Sequence, residues 1–320
     1  MNPDLENALT LLTRGGLVAF PTETVYGLGA DASNGAAVSR IFSVKGRPLT
    51  HPVIVHIAHT NQMEQWACNI PESAYLLAER FWPGPLTLVL KRALGVSDII
   101  TGGQDTVALR IPAHHIALAL LTAFGKGVAA PSANRYGRLS PTTAQHVLQE
   151  LGDDVDMILD GGSCAVGIES TIIDLSGENA AVLRPGWIPI DQINATLGTT
   201  VIGATASSPR VPGAVHKHYA PKTPVILIDS KRLNDVVYRL IEQGERAAVL
   251  AYSSAPINST LINWYGAAQT AAGYARTLYA MLREIDGLGC ARIVVETPPQ
   301  SFEWDGVNDR LLRAAASNED

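Results

Sequence analysis

Lys45-Gly46-Arg47 and Ser132-Ala133-Asn134 are two short polar clusters set in apolar, strand-like sequence. Two fixed cations beside small hydrogen-bonding side chains can hold a polyphosphate and a second anion together. Basic groups ending a helix also cap its carbonyls, the commoner origin of such a pattern. Gly46 between the cations and Pro48 after them favour a shaped loop that turns both charges one way. Thr24 lies in Pro21–Gly29, directly after an apolar run, where open α/β sheets bind ligands. Gly27 and Gly29 there permit close backbone approach, although a glycine turn capped by threonine hydroxyls explains the segment equally well. Arg110 shares one face of an alternating strand with Thr106 and Ala108, and an arginine so placed needs an anion, internal or bound. Ser140, Ser170 and Arg184 are further polar residues at the ends of elements, and Ser140 alone is adequately read as an N-cap. His51 and His56 flank a strand start with no third metal ligand at sensible spacing, so hydrogen bonding or packing is the better reading. Neither a phosphate-loop motif nor a G-x-G-x-x-G fingerprint occurs, so ATP would need a different arrangement.

These residues need a scaffold, and the apolar periodicity supplies one. Leu5, Leu9 and Leu12 predict a helix ending at Gly15-Gly16, and Leu17 to Phe20 a strand broken by Pro21. A short helix over Ala36 to Val44 delivers Lys45 at its end. Strands are predicted at Val53–Ile57, Leu86–Leu90, Val107–Ile111, Val128–Ala130, Met157–Leu159, Thr171–Leu175 and Ala181–Leu183. Helices are predicted at Glu72–Phe81, His114–Phe124 and Thr142–Leu151. The irregular mixture implies a twisted mixed sheet flanked by helices over residues 1–202. Residues 203–224, with four prolines, read as an extended linker or lid. In residues 225–320, three strands (Val225–Ile228, Ala247–Leu250, Arg292–Val295) alternate with helices, which implies a small parallel α/β, Rossmann-like domain.

Of the 320 residues, 47% are hydrophobic and 17% charged, the balance of a folded globular chain. A net charge of −6 argues against a broad nucleic-acid face, so any phosphate site is local. Three dispersed cysteines (Cys68, Cys164, Cys290) fit a reducing compartment. Met1 to Gly16 carries Asp4, Glu6 and no long apolar run, and no segment reaches membrane-spanning length. The expected location is cytoplasmic.

Taken in order, PTETVYGLG, KGRP, FWPGPLT, ALRIP, APSAN, ESTIID and LRPG resemble the catalytic domain of the YrdC-like family. His218-Tyr219-Ala220-Pro221-Lys222-Thr223-Pro224 is similar to the segment joining that domain to a second one in the family's two-domain, threonylcarbamoyl-AMP synthase form. The resemblance implies an adenylate-forming reaction of L-threonine, bicarbonate and ATP, assisted by Mg²⁺, that releases pyrophosphate. A separate tRNA threonylcarbamoyl transferase complex would use the product at adenosine 37 of tRNAs reading codons that begin with A. By the same resemblance the catalytic residues are Lys45, Arg47, Ser132 and Asn134. Arg47, His51, Thr106, Ser132, Ser140, Arg184 and Tyr219 would contact the nucleotide, and Thr24, His56, Arg110, Ala130 and Ser170 the threonine. His51 stands where related sequences often have Asn; a neutral imidazole still hydrogen-bonds. No side chain is expected to ligate a metal, and neither a membrane nor stable nucleic-acid binding is required. The rival reading is an RNA-binding module without adenylate chemistry, against which the acidic total and lack of interleaved aromatics count.

Overall fold

The computed structural model describes residues 3–213 and 218–316. The chain divides into two compact units, Met1–Tyr136 with Ser140–Ala214, and Gly137–Leu139 with Val215–Asp320.

The first unit contains strands β1 (Val18–Phe20), β2 (Gly27–Asp31), β3 (Ile54–His56), β4 (Leu86–Lys91), β5 (Thr106–Arg110), β6 (Val128–Ala129), β7 (Met157–Ile158), β8 (Thr171–Asp174), β9 (Ala181–Arg184) and β10 (Ile202–Gly203). Its helices are α1 (Pro3–Thr13), α2 (Gly35–Lys45), α3 (Glu72–Phe81), α4 (Asp98–Thr101), α5 (His115–Phe124), α6 (Ala144–Leu151) and α7 (Ile190–Leu197). The ten strands form one mixed sheet in the order β10-β9-β8-β4-β5-β3-β6-β2-β1-β7. β3 and β5 run parallel with His56 opposite Arg110, while β4 and β5 run antiparallel with Lys91 opposite Thr106.

Alternation along the strands separates two faces. One buries Leu28, Ala30, Leu88, Leu109 and Ile173 against Val38 and Ile41 of α2 and Leu77 of α3. On the other, Val18, Phe20 and Val128 meet Leu12 of α1 and Leu120 of α5. Farther along that sheet, Ile54, Val89, Ala108 and Ile172 form one buried cluster with Val211 from the segment after β10. The first part of the expected linker thus belongs to the first unit. Gly203 pairs with Val182, and Arg184 Nη1 donates to Pro212 O at 2.9 Å. Residues 214–217 of that linker lie outside the described residues.

The second unit holds four parallel strands where the sequence predicts three. β11 (Val225–Ile228), β12 (Ala247–Ala251), β13 (Ile262–Gly266) and β14 (Arg292–Glu296) lie in the order β11-β14-β12-β13. The fourth, β13, is an edge strand, part-buried along most of its length, so it lacks a clean apolar alternation. Helices α8 (Ser230–Glu242), α9 (Ala271–Asp286) and α10 (Asp305–Ala315) complete the unit. Among the described residues, no helix is long and apolar enough to cross a membrane.

Candidate active site

Helix α2 is cut to length at both ends. Asn34 Oδ1 accepts from the Ala36 and Ala37 N–H groups, and Gly46 ends the helix in the left-handed region at φ 62°. The helix therefore stops just as Lys45 emerges. Lys45 is buried, and its Nζ donates to the carbonyl oxygens of Ser132 and Asn134, 2.5 Å from the latter. The two signature clusters do meet, through backbone oxygens of one and the ammonium of the other. Burial drives the Lys45 amine well below its ordinary value, the neighbouring Arg47 lowers it further, and Glu150 opposes both. Arg47 is also buried; its Nη2 donates to Pro52 O at 2.8 Å and its guanidinium lies 5.9 Å from the centre of the Tyr136 ring. The Tyr136 hydroxyl is 3.3 Å from His51 Nδ1, and the Tyr136 N–H donates to Lys45 O at 2.7 Å. Tyr136 belongs to this group, yet no recognisable motif contains it.

A second group surrounds Arg110. Its Nη2 donates to Glu23 Oε1 at 2.6 Å and its Nε to Gly84 O at 3.2 Å. Glu23 Oε2 accepts from the Ala113 N–H at 2.9 Å. The sequence leaves the partner of Arg110 open between internal and bound anion. The structure supplies the internal one, while Arg110 Nη1 has no partner among the described residues. His56, opposite Arg110 on β3, is buried with Nδ1 unpartnered among the described residues. Burial, and then the Arg110 charge, hold its imidazole down at about 3. Unfolded, the ring titrates near 6.5, so protons favour the unfolded chain from that pH downward. The stability that neutral His56 contributes is present above that value and is lost at about 1.4 kcal/mol per pH unit toward 3. Urea unfolding of wild type and His56→Gln should therefore show their stability difference shrinking by about 2 kcal/mol from pH 7 to pH 5. A constant difference would remove His56 as the titrating group.

Loops draw the remaining residues in. Leu28 N donates to Pro131 O, and Ala133 N to Tyr26 O, which fastens the 131–134 loop beside the Thr24 segment. Ala130 N donates to Ile54 O at 3.0 Å, next to His56. The Thr24 hydroxyl is 2.8 Å from that of Thr22, and Gly167 N donates to Thr24 O. Ser140 donates its hydroxyl to Glu169 at 2.5 Å. The Ser170 hydroxyl sits 2.8 Å from Thr87 Oγ1, and Arg184 Nη2 donates to Ser170 O at 2.8 Å. Thr106 stands apart, four residues from Arg110 along β5, which is about 13 Å of extended chain. It lines an open groove of about 720 Å³ with Cys68, Lys91, Arg92 and Asp98. Cys164, near Glu23, is pushed up to about 12 chiefly by burial, so its thiol stays protonated and inert. Tyr219 lies in the second unit at φ 57°, its ring 5.9 Å from that of Tyr279 and 5.0 Å from the Arg310 guanidinium.

Glu23 and Glu169 are two buried carboxylates of this site that no sequence argument selected. Both lie inside quoted motifs, but their partners Arg110 and Ser140 are 87 and 29 positions away.

Comparison with known proteins agrees with both halves of this architecture. A family model described as "Telomere recombination" matches residues 10–186, and one described as "Threonylcarbamoyl-AMP synthase, C-terminal domain" matches residues 188–316. The chain is similar to threonylcarbamoyl-AMP synthase of Pyrococcus abyssi, with 40% identity over 319 residues, covering 96% of this chain and 93% of that protein. It is similar to the Bacillus subtilis protein of the same name, with 37% identity over 98% of this chain and 93% of that one. The crystal structure of P. abyssi Sua5 complexed with L-threonine matches with TM-score 0.90 and 39% identity, covering 97% of this chain and 94% of that chain.

Proposed function

The chain belongs to the threonylcarbamoyl-AMP synthase family in its two-domain form, and on that premise we propose that it joins L-threonine, bicarbonate and ATP into threonylcarbamoyl-AMP, releasing pyrophosphate. The observation that carries this reading is one buried ammonium, on Lys45, tying the Lys45–Arg47 turn to the Ser132–Asn134 loop, with Arg110 and His56 on adjacent strands of the same sheet.

The steps follow from the chemistry of the reactants. The neutral threonine amine forms an N–C bond either to bicarbonate, with loss of water, or to carbon dioxide, with loss of a proton, giving a carbamate in both cases. A carbamate oxygen then bonds to the α-phosphorus, and the bond from that phosphorus to the bridging oxygen breaks as pyrophosphate departs. No covalent enzyme intermediate is required, so the protein's part is positioning and charge compensation. Arg110 would hold the amino-acid carboxylate with Nη1 while Nη2 and Nε keep the guanidinium plane on Glu23 and Gly84. The unpartnered Nδ1 of His56 would gain a hydrogen bond from the same ligand. Thr24, Ala130 and Ser170 would line the amino-acid side of the site. Lys45, Arg47, Ser132 and Asn134 would compensate and orient the phosphates. His51, Thr106, Ser140, Arg184 and Tyr219 would contact the rest of the nucleotide.

Among the described residues, no three His, Cys, Asp or Glu side chains converge to hold a metal ion. Mg²⁺ would therefore enter on the ATP phosphates with its waters, as this small cation usually does, and supply charge compensation there. The mixed anhydride hydrolyses readily, so it must be used promptly. A transferase complex acting on adenosine 37 of tRNAs for codons beginning with A is the proposed consumer, in the cytoplasm.

Pyrophosphate release with threonine, bicarbonate and ATP each omitted in turn tests the assignment. Release should require all three. Release without threonine would make the enzyme an ATP pyrophosphatase and refute the proposal.

A further inference from the structure

The segment crossing the open face of the first sheet brings a charge of its own. Arg210 is exposed, and one side chain grips its backbone from both sides. Gln104 Oε1 accepts from the Arg210 N–H at 2.7 Å, and Gln104 Nε2 donates to Arg210 O at 3.0 Å. The Arg210 side chain is fixed at one point, Nη2 donating to Gly102 O at 3.0 Å. Gly102 is pressed onto the Arg47 loop: a Cβ there would stand 2.4 Å from Thr50 O. The Val53 N–H donates to Ile100 O at 2.9 Å, closing the same contact. Arg47 is bonded to this loop at Pro52 O, and His51 lies within it. Partial burial, then the Arg47 and Arg210 charges, lower the His51 imidazole. Nε and Nη1 of Arg210 have no partner among the described residues, and no carboxylate there pairs with it.

We propose that Arg210 is a third cation of the nucleotide site, binding the terminal phosphates of ATP and the departing pyrophosphate, and that Gln104 positions it. This rests on the adenylate-forming reading above and extends it. An exposed guanidinium without a carboxylate partner keeps its charge available for a polyanion. Val211 and the bond from Arg184 to Pro212 O anchor the neighbouring positions to the sheet, and Gln104 sets the Arg210 backbone, so the cation is held in place while its side chain stays exposed.

Wild type, Arg210→Ala, Arg210→Lys and Gln104→Ala would be compared as full chains in two measurements. The first is threonine-dependent turnover with ATP and threonine varied separately and pyrophosphate added as product inhibitor. The second is calorimetric binding of pyrophosphate alone. Arg210→Ala should raise the KM for ATP and weaken pyrophosphate roughly tenfold, as expected for one lost charge-assisted contact. The KM for threonine should stay within about twofold, a margin far below the loss of such a contact. Arg210→Lys should recover most of the loss, Gln104→Ala should fall between, and the difference from wild type should fade in high salt. Unchanged pyrophosphate affinity in Arg210→Ala, or threonine and ATP constants rising together, would overturn the proposal. A wild type inactive with threonine would refute the enzymatic reading, while calorimetry would still decide whether Arg210 binds pyrophosphate.

Discussion

Lys45→Met should yield a folded protein whose threonine-dependent pyrophosphate release falls by a factor on the order of a few hundred. Methionine fills the same space without a charge, so the cost of keeping an ammonium out of water disappears. Against that, the Ser132 and Asn134 carbonyls lose a donor, at about 1–3 kcal/mol each. These opposed terms leave stability little changed, and the loss should appear almost wholly in turnover. Of the three Nζ protons two are committed to the loop, so the third is the one left for a phosphate oxygen. Equal activity in the methionine variant would reduce Lys45 to a stitch between two loops. A denaturant midpoint measured beside the rate separates the two roles.

Arg110→Met should act on both folding and threonine use. It strands Glu23, whose side chain is 11% exposed, leaving its carboxylate only the Ala113 N–H among the described residues. Breaking one side of a buried ion pair costs about 3–5 kcal/mol. Pairing it with Glu23→Gln removes the stranded charge and should restore most of that stability. The threonine requirement should not recover, because the guanidinium proposed to meet the carboxylate is still missing. The single variant should raise the KM for threonine at least roughly tenfold more than that for ATP, the worth of a charged hydrogen bond. If the double variant regained threonine affinity along with stability, Arg110 would serve the fold alone.

The elements that carry local signals were readable in the sequence. Helix α2 announces itself by Asn34 before it and Gly46 after it, and it forms one residue longer at each end than the apolar spacing predicts. Helix α3 begins at Glu72 and ends at Phe81 as the periodicity requires. Strand β2 escaped because Gly27 and Gly29 dilute its apolar pattern. Their smallness serves packing: a Cβ on Gly29 would stand 2.7 Å from the Phe20 ring and 2.9 Å from Val128. Helix α7 escaped because only Ile193 is fully buried along it. At the candidate site, residue types were legible but partners were not. Arg110 demanded an anion, yet Glu23 meets it only once β5 and the Thr22–Val25 turn are folded together. Lys45 spends its bonds on carbonyls, which every residue has and no motif records. The Pro-rich stretch after residue 203 read as loose chain because Val211 joins a cluster whose other members come from distant parts of the sequence, on five separate strands.

Lys45 and Arg47 are like charges two positions apart, both sunk beneath the surface, with Glu150 as a partial counterweight. An empty chain therefore carries a standing electrostatic tension in this turn. Any small polyanion that enters relieves it, whether or not it can react. Inorganic pyrophosphate alone should therefore raise the melting temperature, and the gain should be larger in dilute buffer than in brine.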